Sequence, residues 1–225
     1  MEYKLIGTTI PAVEITFDQR GESVYTESGA MCWMSNDVNM ESNAKGGVSR
    51  SLGRMFSGES IFMVSFTSKA AGDYVAFSSS YTGDIIPLKL NGNKLICQKD
   101  AFLCAESSVT LKTLFRKKLG AGVFGGEGFI LQELSGTGQA FLEINGNMIK
   151  KKLGAGEVIK VDTGNVVAFE SSVNYDIESV KGVKNILLGG EGLFLTKLTG
   201  PGTIYLQSSN FADMVSKIST AIPSK

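Results

Sequence analysis

Apolar and polar residues alternate with a period of two in short runs along most of this chain. In the run from Val158 to Thr163, residues Ile159, Val161 and Thr163 share one face, and Val158, Lys160 and Asp162 share the other. A strand with that pattern is covered on one side and wetted on the other. Apolar strands are likewise predicted at Tyr74-Val75-Ala76-Phe77, Ala140-Phe141-Leu142 and Ile204-Tyr205-Leu206. Each follows a glycine-bearing turn: Gly72-Asp73, Gly136-Thr137-Gly138 and Gly200-Pro201-Gly202. Asn91-Gly92 and Asn145-Gly146 signal further hairpins, because a type I′ turn needs positive φ at both central residues. The period changes to that of a helix only near the end. There Asn210 is placed to cap, Asp213 lies near the helix start, and Phe211, Met214, Val215 and Ile218 form an apolar stripe. The pattern predicts an all-β fold closed by a short docked helix over 210–218, with 219–225 fraying.

The strand segments repeat one another. Gly21-Glu22-Ser23-Val24-Tyr25-Thr26-Glu27-Ser28-Gly29 returns as Gly156-Glu157-Val158-Ile159-Lys160-Val161-Asp162-Thr163-Gly164, with both glycines, both acids and the alternation retained. Glu106-Ser107-Ser108-Val109 matches Glu170-Ser171-Ser172-Val173, and Gly126-Glu127-Gly128 matches Gly190-Glu191-Gly192 at the same offset. A diverged third copy of the latter is Gly58-Glu59-Ser60, so Glu59, Glu127 and Glu191 hold one equivalent position. A single domain, 1–225, of three tandem β units follows, over about 1–81, 82–144 and 145–209, with the helix appended. Their unequal lengths are assigned to loop insertions, chiefly Lys150-Lys151-Lys152-Leu153-Gly154-Ala155. Tandem β units of this kind predict a ring-like, oligomeric architecture.

Composition changes the picture mainly by what it removes. The 22 acidic and 22 basic residues cancel, so the overall charge points to neither nucleic acid nor an acidic tail. With 27 glycines and 4 prolines, the chain is rich in positive-φ turns rather than in disorder. No window approaches the roughly 18 apolar residues of a membrane span, and Met1-Glu2-Tyr3-Lys4-Leu5 lacks the layout of a secretory signal, so a soluble cytoplasmic protein is expected. Cys32, Cys97 and Cys104 form no Cys-x-x-Cys pair and read as three reduced, largely buried thiols; Trp33 reads as a core residue. Histidine is absent, which removes Ser/His and Cys/His nucleophile systems and histidine-bearing zinc sites.

The candidate chemistry is correspondingly thin. Glu59, Glu127 and Glu191 would form a ring of carboxylates, but no second acid recurs at a fixed short offset, and their flanking glycines make them acceptors for turn amides. The segments just before them are both basic and apolar, and carry Arg50, Arg54, Arg116, Lys117, Lys118 and Lys184 as candidate rim contacts. On one rim these side chains would meet an anionic membrane surface, an RNA backbone or a neighbouring subunit. The glycine-rich run 119–128 lacks a Gly-Lys-Ser/Thr ending and leads into a strand, so it is no phosphate cradle.

Taken together, the Gly-Glu segments at 21–29 and 156–164, the Gly-Glu-[Gly/Ser] turns and the Gly200-Pro201-Gly202-Thr203-Ile204-Tyr205-Leu206 run resemble the altered-inheritance-of-mitochondria family, from about Val13 to Phe211. The resemblance implies a shortened double-stranded β-helix repeated three times, akin to subunits of the tryptophan-sensing RNA-binding attenuation protein, with three chains closing a ring of nine units. It carries over no catalytic residue, cofactor or metal. The attenuation protein's ligand pocket and RNA-binding motif have no match here. The expectation is a non-enzymatic oligomeric scaffold or interaction protein, a homotrimer whose rim binds a membrane surface or a protein. The alternative is a ligand- or RNA-binding ring.

Overall fold

The computed structural model describes residues 1–27, 29–42, 56–57, 63–117, 129–179 and 194–222. The fold is all-β with one short helix at its end. The first stretch of chain carries β1 (Glu2–Ile6), β2 (Ala12–Thr16), β3 (Ser23–Glu27), β4 (Met31–Met34), β5 (Asn39–Ser42), β6 (Phe56–Ser57), β7 (Met63–Thr67) and β8 (Tyr74–Ser78). The second carries β9 (Gly83–Asn91), β10 (Leu95–Gln98), β11 (Phe102–Glu106), β12 (Val109–Lys117) and β13 (Phe129–Asn145). The third carries β14 (Met148–Leu153), β15 (Val158–Asp162), β16 (Val166–Glu170), β17 (Asn174–Ser179), β18 (Phe194–Thr199) and β19 (Gly202–Gln207), followed by α1 (Phe211–Ala221).

The same four antiparallel pairings recur in each stretch. In the first, β2 and β4 flank β8, while β3 and β5 flank β7. In the third, β14 and β16 flank β19, while β15 and β17 flank β18. In the second, the long β13 fills both central places: residues 137–145 pair with β9, β11 joins at 140–142, and residues 129–136 take β10 and β12. Stretches are then stitched together, because β11 pairs with β3 and β16 pairs with β10. The results are two composite sheets, β9-β13-β11-β3-β7-β5 and β14-β19-β16-β10-β13-β12. Two partial sheets remain, β1-β2-β8-β4 and β15-β18-β17.

The inward faces of these sheets close over three apolar clusters. One gathers Phe17, Phe66, Phe77 and Phe141, a second Tyr25, Phe102, Leu134 and Leu142, and a third Phe129, Phe169, Leu198 and Ile204. Each such side chain taken out of water contributes about 1.5–3 kcal/mol, which is why alternation alone defines most of the strands. Tyr25 shows how a polar tip is accommodated. Its ring stacks on Phe102 at 5.6 Å and its hydroxyl donates to the Val109 carbonyl at 3.1 Å.

Several expectations need correcting. Asn91-Gly92 and Asn145-Gly146 close no hairpin: β9 and β10 pair with different halves of β13, and β14 pairs with β19 rather than with β13. The glycines do take positive φ, +84° at Gly92 and +78° at Gly146, but they turn the chain from one sheet into the next. Lys150 to Leu153 are strand, not inserted loop, because they fill the place that β2 and β9 hold elsewhere. The true counterpart of Asn145-Gly146 is Thr82-Gly83: the Gly83 amide donates to the Thr9 carbonyl at 2.9 Å and the Gly146 amide to the Thr82 carbonyl at 2.8 Å. Cys32 and Trp33 lie in β4 as expected of a strand, yet Cys32 is exposed and Trp33 is 39% exposed, because β4 ends its sheet. The Trp33 indole N–H donates to Glu14 at 2.7 Å. Finally, α1 continues to Ala221, and its start is docked. The Asn210 side chain accepts from the Ala212 amide at 3.0 Å and Phe211 meets Tyr81 at 5.2 Å, while Phe211, Met214, Val215, Ile218 and Ile222 remain exposed.

Candidate interaction surface

Of the residues nominated from sequence, Arg50, Arg54, Lys118, Lys184, Glu59, Glu127 and Glu191 lie outside the described residues. Arg116 and Lys117 fall at the end of β12, opposite Ile130 and Phe129 of β13. Further along the same strand, Leu111 and Lys112 pair in parallel with Phe56 and Ser57 of β6.

Acids elsewhere in the fold act as acceptors for turn amides. The Glu22 carboxylate accepts from the Asp18 amide at 2.7 Å, and its counterpart Glu157 accepts from the Gly154 amide at 2.8 Å. Glu170 accepts from the Thr203 amide at 2.9 Å. Asp73 accepts from the Lys69 and Ala70 amides at 2.8 and 2.9 Å, and the Ala70 and Lys69 bonds hold its carboxyl below the usual range. Gly138 is needed beside such a carboxylate. Its φ is +154°, and a Cβ there would lie 2.8 Å from a Glu106 carboxylate oxygen and 2.5 Å from the Ser108 hydroxyl.

Sequence reasoning missed Glu143, which lies in the apolar run of β13 and is 8% exposed. Its carboxylate accepts from the Ser80 amide at 2.6 Å and the Ser79 hydroxyl at 3.1 Å, so it fastens the link between the first and second stretches. Burial pushes its pKa up to about 7 against the pull of those two bonds, and Asp100 and Glu27 push the same way. Gln207 does the corresponding job with an amide, accepting from the Asn145 amide at 2.9 Å. A polar side chain interrupting Phe141-Leu142 and Ile144 was the available signal.

The buried thiols offer no nucleophile near neutral pH: burial pushes Cys97 up to about 12 and raises Cys104 well above its ordinary value. Among the described residues no three His, Cys, Asp or Glu are grouped to hold a metal, and no helix is long and apolar enough to cross a membrane. A cleft of about 190 Å³ opens where β1 crosses toward the second stretch, lined by Tyr3, Ile15, Lys89, Glu106 and Phe141. Tyr3 packs edge-on against Phe141 at 5.1 Å.

The surface features that stand out are apolar. The exposed side chains on α1 recur at helical spacing along one side, and the helix starts where β15 ends, with the Asn210 side-chain amide 3.5 Å from Asp162. The other concentration is in the first stretch, where Tyr3, Leu5, Ile6, Ile10 and Trp33 are exposed.

The family model described as mitochondrial biogenesis AIM24 matches residues 3–209. The chain belongs to the AIM24 family. An uncharacterized protein of Streptococcus pyogenes serotype M6 is 30% identical to it over 221 residues, which cover 95% of this chain and 87% of that protein. A Streptococcus pyogenes protein of known crystal structure is 25% identical and superposes with a TM-score of 0.79, over 98% of this chain and 99% of the other. These relatives carry no assigned activity, so AIM24 membership establishes kinship and leaves the biochemical role to the surface just described.

Proposed function

We propose that this AIM24 protein is a non-enzymatic cytoplasmic scaffold, working as a homotrimer, that holds a protein partner on its surface. The observation that carries the reading is the apolar side of α1, where Phe211, Met214, Val215, Ile218 and Ile222 are all exposed. An isolated helix of that length is marginal in water, so its stability depends on covering that side. A protein partner fits better than a lipid surface: the stripe lies beside Asp213 and Lys217, without the cationic polar face that attaches helices to anionic membranes. Arg50, Arg54, Arg116, Lys117, Lys118 and Lys184 remain candidate rim contacts in this reading.

Light scattering on the eluted protein tests the assembly. A mass of three chains supports the reading, and a single-chain mass at micromolar concentration removes it. Flotation with anionic vesicles tests the partner class. No association is expected at low salt, and association abolished by Ile218→Glu would replace the protein partner with a membrane. RNA retention that weakens steeply with salt would point instead to the nucleic-acid ring.

A further inference from the structure

Among the described residues strand β4 ends one partial sheet and β15 ends the other, yet strands in their positions elsewhere in the chain are paired. The equivalence is fixed by register. In β11 the pairing skips a residue between Phe102 and Cys104, in β16 between Val166 and Ala168, and in β4 between Met31 and Trp33. Trp33 therefore stands where Cys104 and Ala168 stand. On the other edge, Val24 opposes Phe66, Leu95 opposes Leu134, and Ile159 opposes Leu198, so Ile159 stands where Val24 and Leu95 stand. At the first junction Cys104, Ala105 and Glu106 oppose Thr26, Tyr25 and Val24. At the second, Ala168, Phe169 and Glu170 oppose Cys97, Ile96 and Leu95. Both junctions then continue with the same backbone bond, from the Ser107 amide to the Ser23 carbonyl and from the Ser171 amide to the Lys94 carbonyl.

We propose that β4 of one copy pairs antiparallel with β15 of a second copy, with Trp33 opposite Val161, Met34 opposite Lys160 and Ser35 opposite Ile159. The two partial sheets thereby become one composite sheet of the kind the chain already builds twice. Burial points the same way. Cys104 and Ala168 are fully buried while Trp33 is 39% exposed, and Leu103 and Val167 are 1% exposed while their counterpart Cys32 lies open. Because the two edges are different surfaces, copies join head to tail, and only a closed ring leaves no β4 or β15 edge to recruit more chains. This pairing rests on the self-association proposed above and specifies its surface.

The test uses two full-length chains in a Cys32→Ser background, one carrying Ser35→Cys and the other Ile159→Cys. Co-folded and oxidised, they are expected to give a disulfide-linked pair of chains that neither gives alone. Ser35→Cys with Lys160→Cys, one position out and on the opposite face, is expected to give none. A three-chain mass without the Ser35–Ile159 cross-link overturns this pairing and leaves self-association standing; a single-chain mass overturns both. Hydrogen exchange on the unsubstituted protein gives a second readout. The β4 and β15 amides are expected to exchange as slowly as those of β3 and β11, and fast exchange at either edge of the assembled protein overturns the pairing.

Discussion

Replacing Glu143 by glutamine isolates the cost of burying one carboxylate. The group is 8% exposed, and its pKa in the folded chain is about 7 against an ordinary value of 4.5. A raised folded-state pKa means that the protonated form fits the fold better than the charged one. Its contribution is therefore fully present below pH 4.5 and is lost as pH rises through 7. At 1.36 kcal/mol per unit, the loss is about 3 kcal/mol. The chain carries an amide at the equivalent place in the third stretch, Gln207, whose side-chain oxygen also accepts a backbone amide, that of Asn145. Glu143→Gln is therefore expected to keep the Ser80 bond while removing the charge. Urea unfolding of both proteins, at one protein concentration and across pH 4.5 to 8.5, gives the difference in stability as a function of pH. Carboxylates with lowered pKa, such as Asp73, lose stability toward acid in both proteins and cancel. The difference should move by about 3 kcal/mol in favour of the variant as pH rises. A difference that stays flat between pH 5 and 8 would refute the reasoning.

Two further substitutions probe packing. At Gly83 a Cβ would collide with the Ile144 carbonyl oxygen and sit 2.7 Å from the Gly146 nitrogen, both backbone atoms, so Gly83→Ala should lower stability by more than ~3 kcal/mol. Gly72→Ala, at φ +86° with open space around it, should cost only ~1 kcal/mol of backbone strain, and equal thermal midpoints for the two variants would contradict this contrast. Gln132 is fully buried, with neither amide atom hydrogen-bonded, so Gln132→Leu should raise stability by ~1–3 kcal/mol; a lower urea midpoint would show that the amide has an unseen role.

The all-β fold and its terminal helix were legible because alternation and capping are local. The match of residues 21–29 with 156–164 was legible for the same reason, and Gly21 and Gly156 adopt φ of +87° and +75° as equivalent turns require. Identity of dipeptides misled where it outran geometry. Asn91-Gly92 and Asn145-Gly146 look alike, but the backbone bonds equate the latter with Thr82-Gly83, and the misalignment turned β14 into an insertion. The exposure of Trp33 and Cys32 was not legible, because an edge strand and an inner strand share the same alternation. Nor was the exposure of the apolar stripe of α1, since such a stripe does not record what lies against it. Glu143 was hidden because a carboxylate in an apolar run normally signals the wet face of a strand, whereas here it is held by a connector from the preceding stretch.

Strand β13 passes from one composite sheet into the next without a break, whereas the corresponding crossings are made through Ser68–Asp73 in the first stretch and through Gly200-Pro201 in the third. An extra residue placed in the first crossing, where Lys69 to Gly72 are exposed, has somewhere to bulge, whereas Gly200 is buried against Leu153 and Gly154. The same residue placed near Gly136 would turn every side chain on one half of the strand to the opposite face. The first crossing is thus the place where this architecture accommodates length variation or an inserted tag, and the middle one is a fixed ruler between two layers.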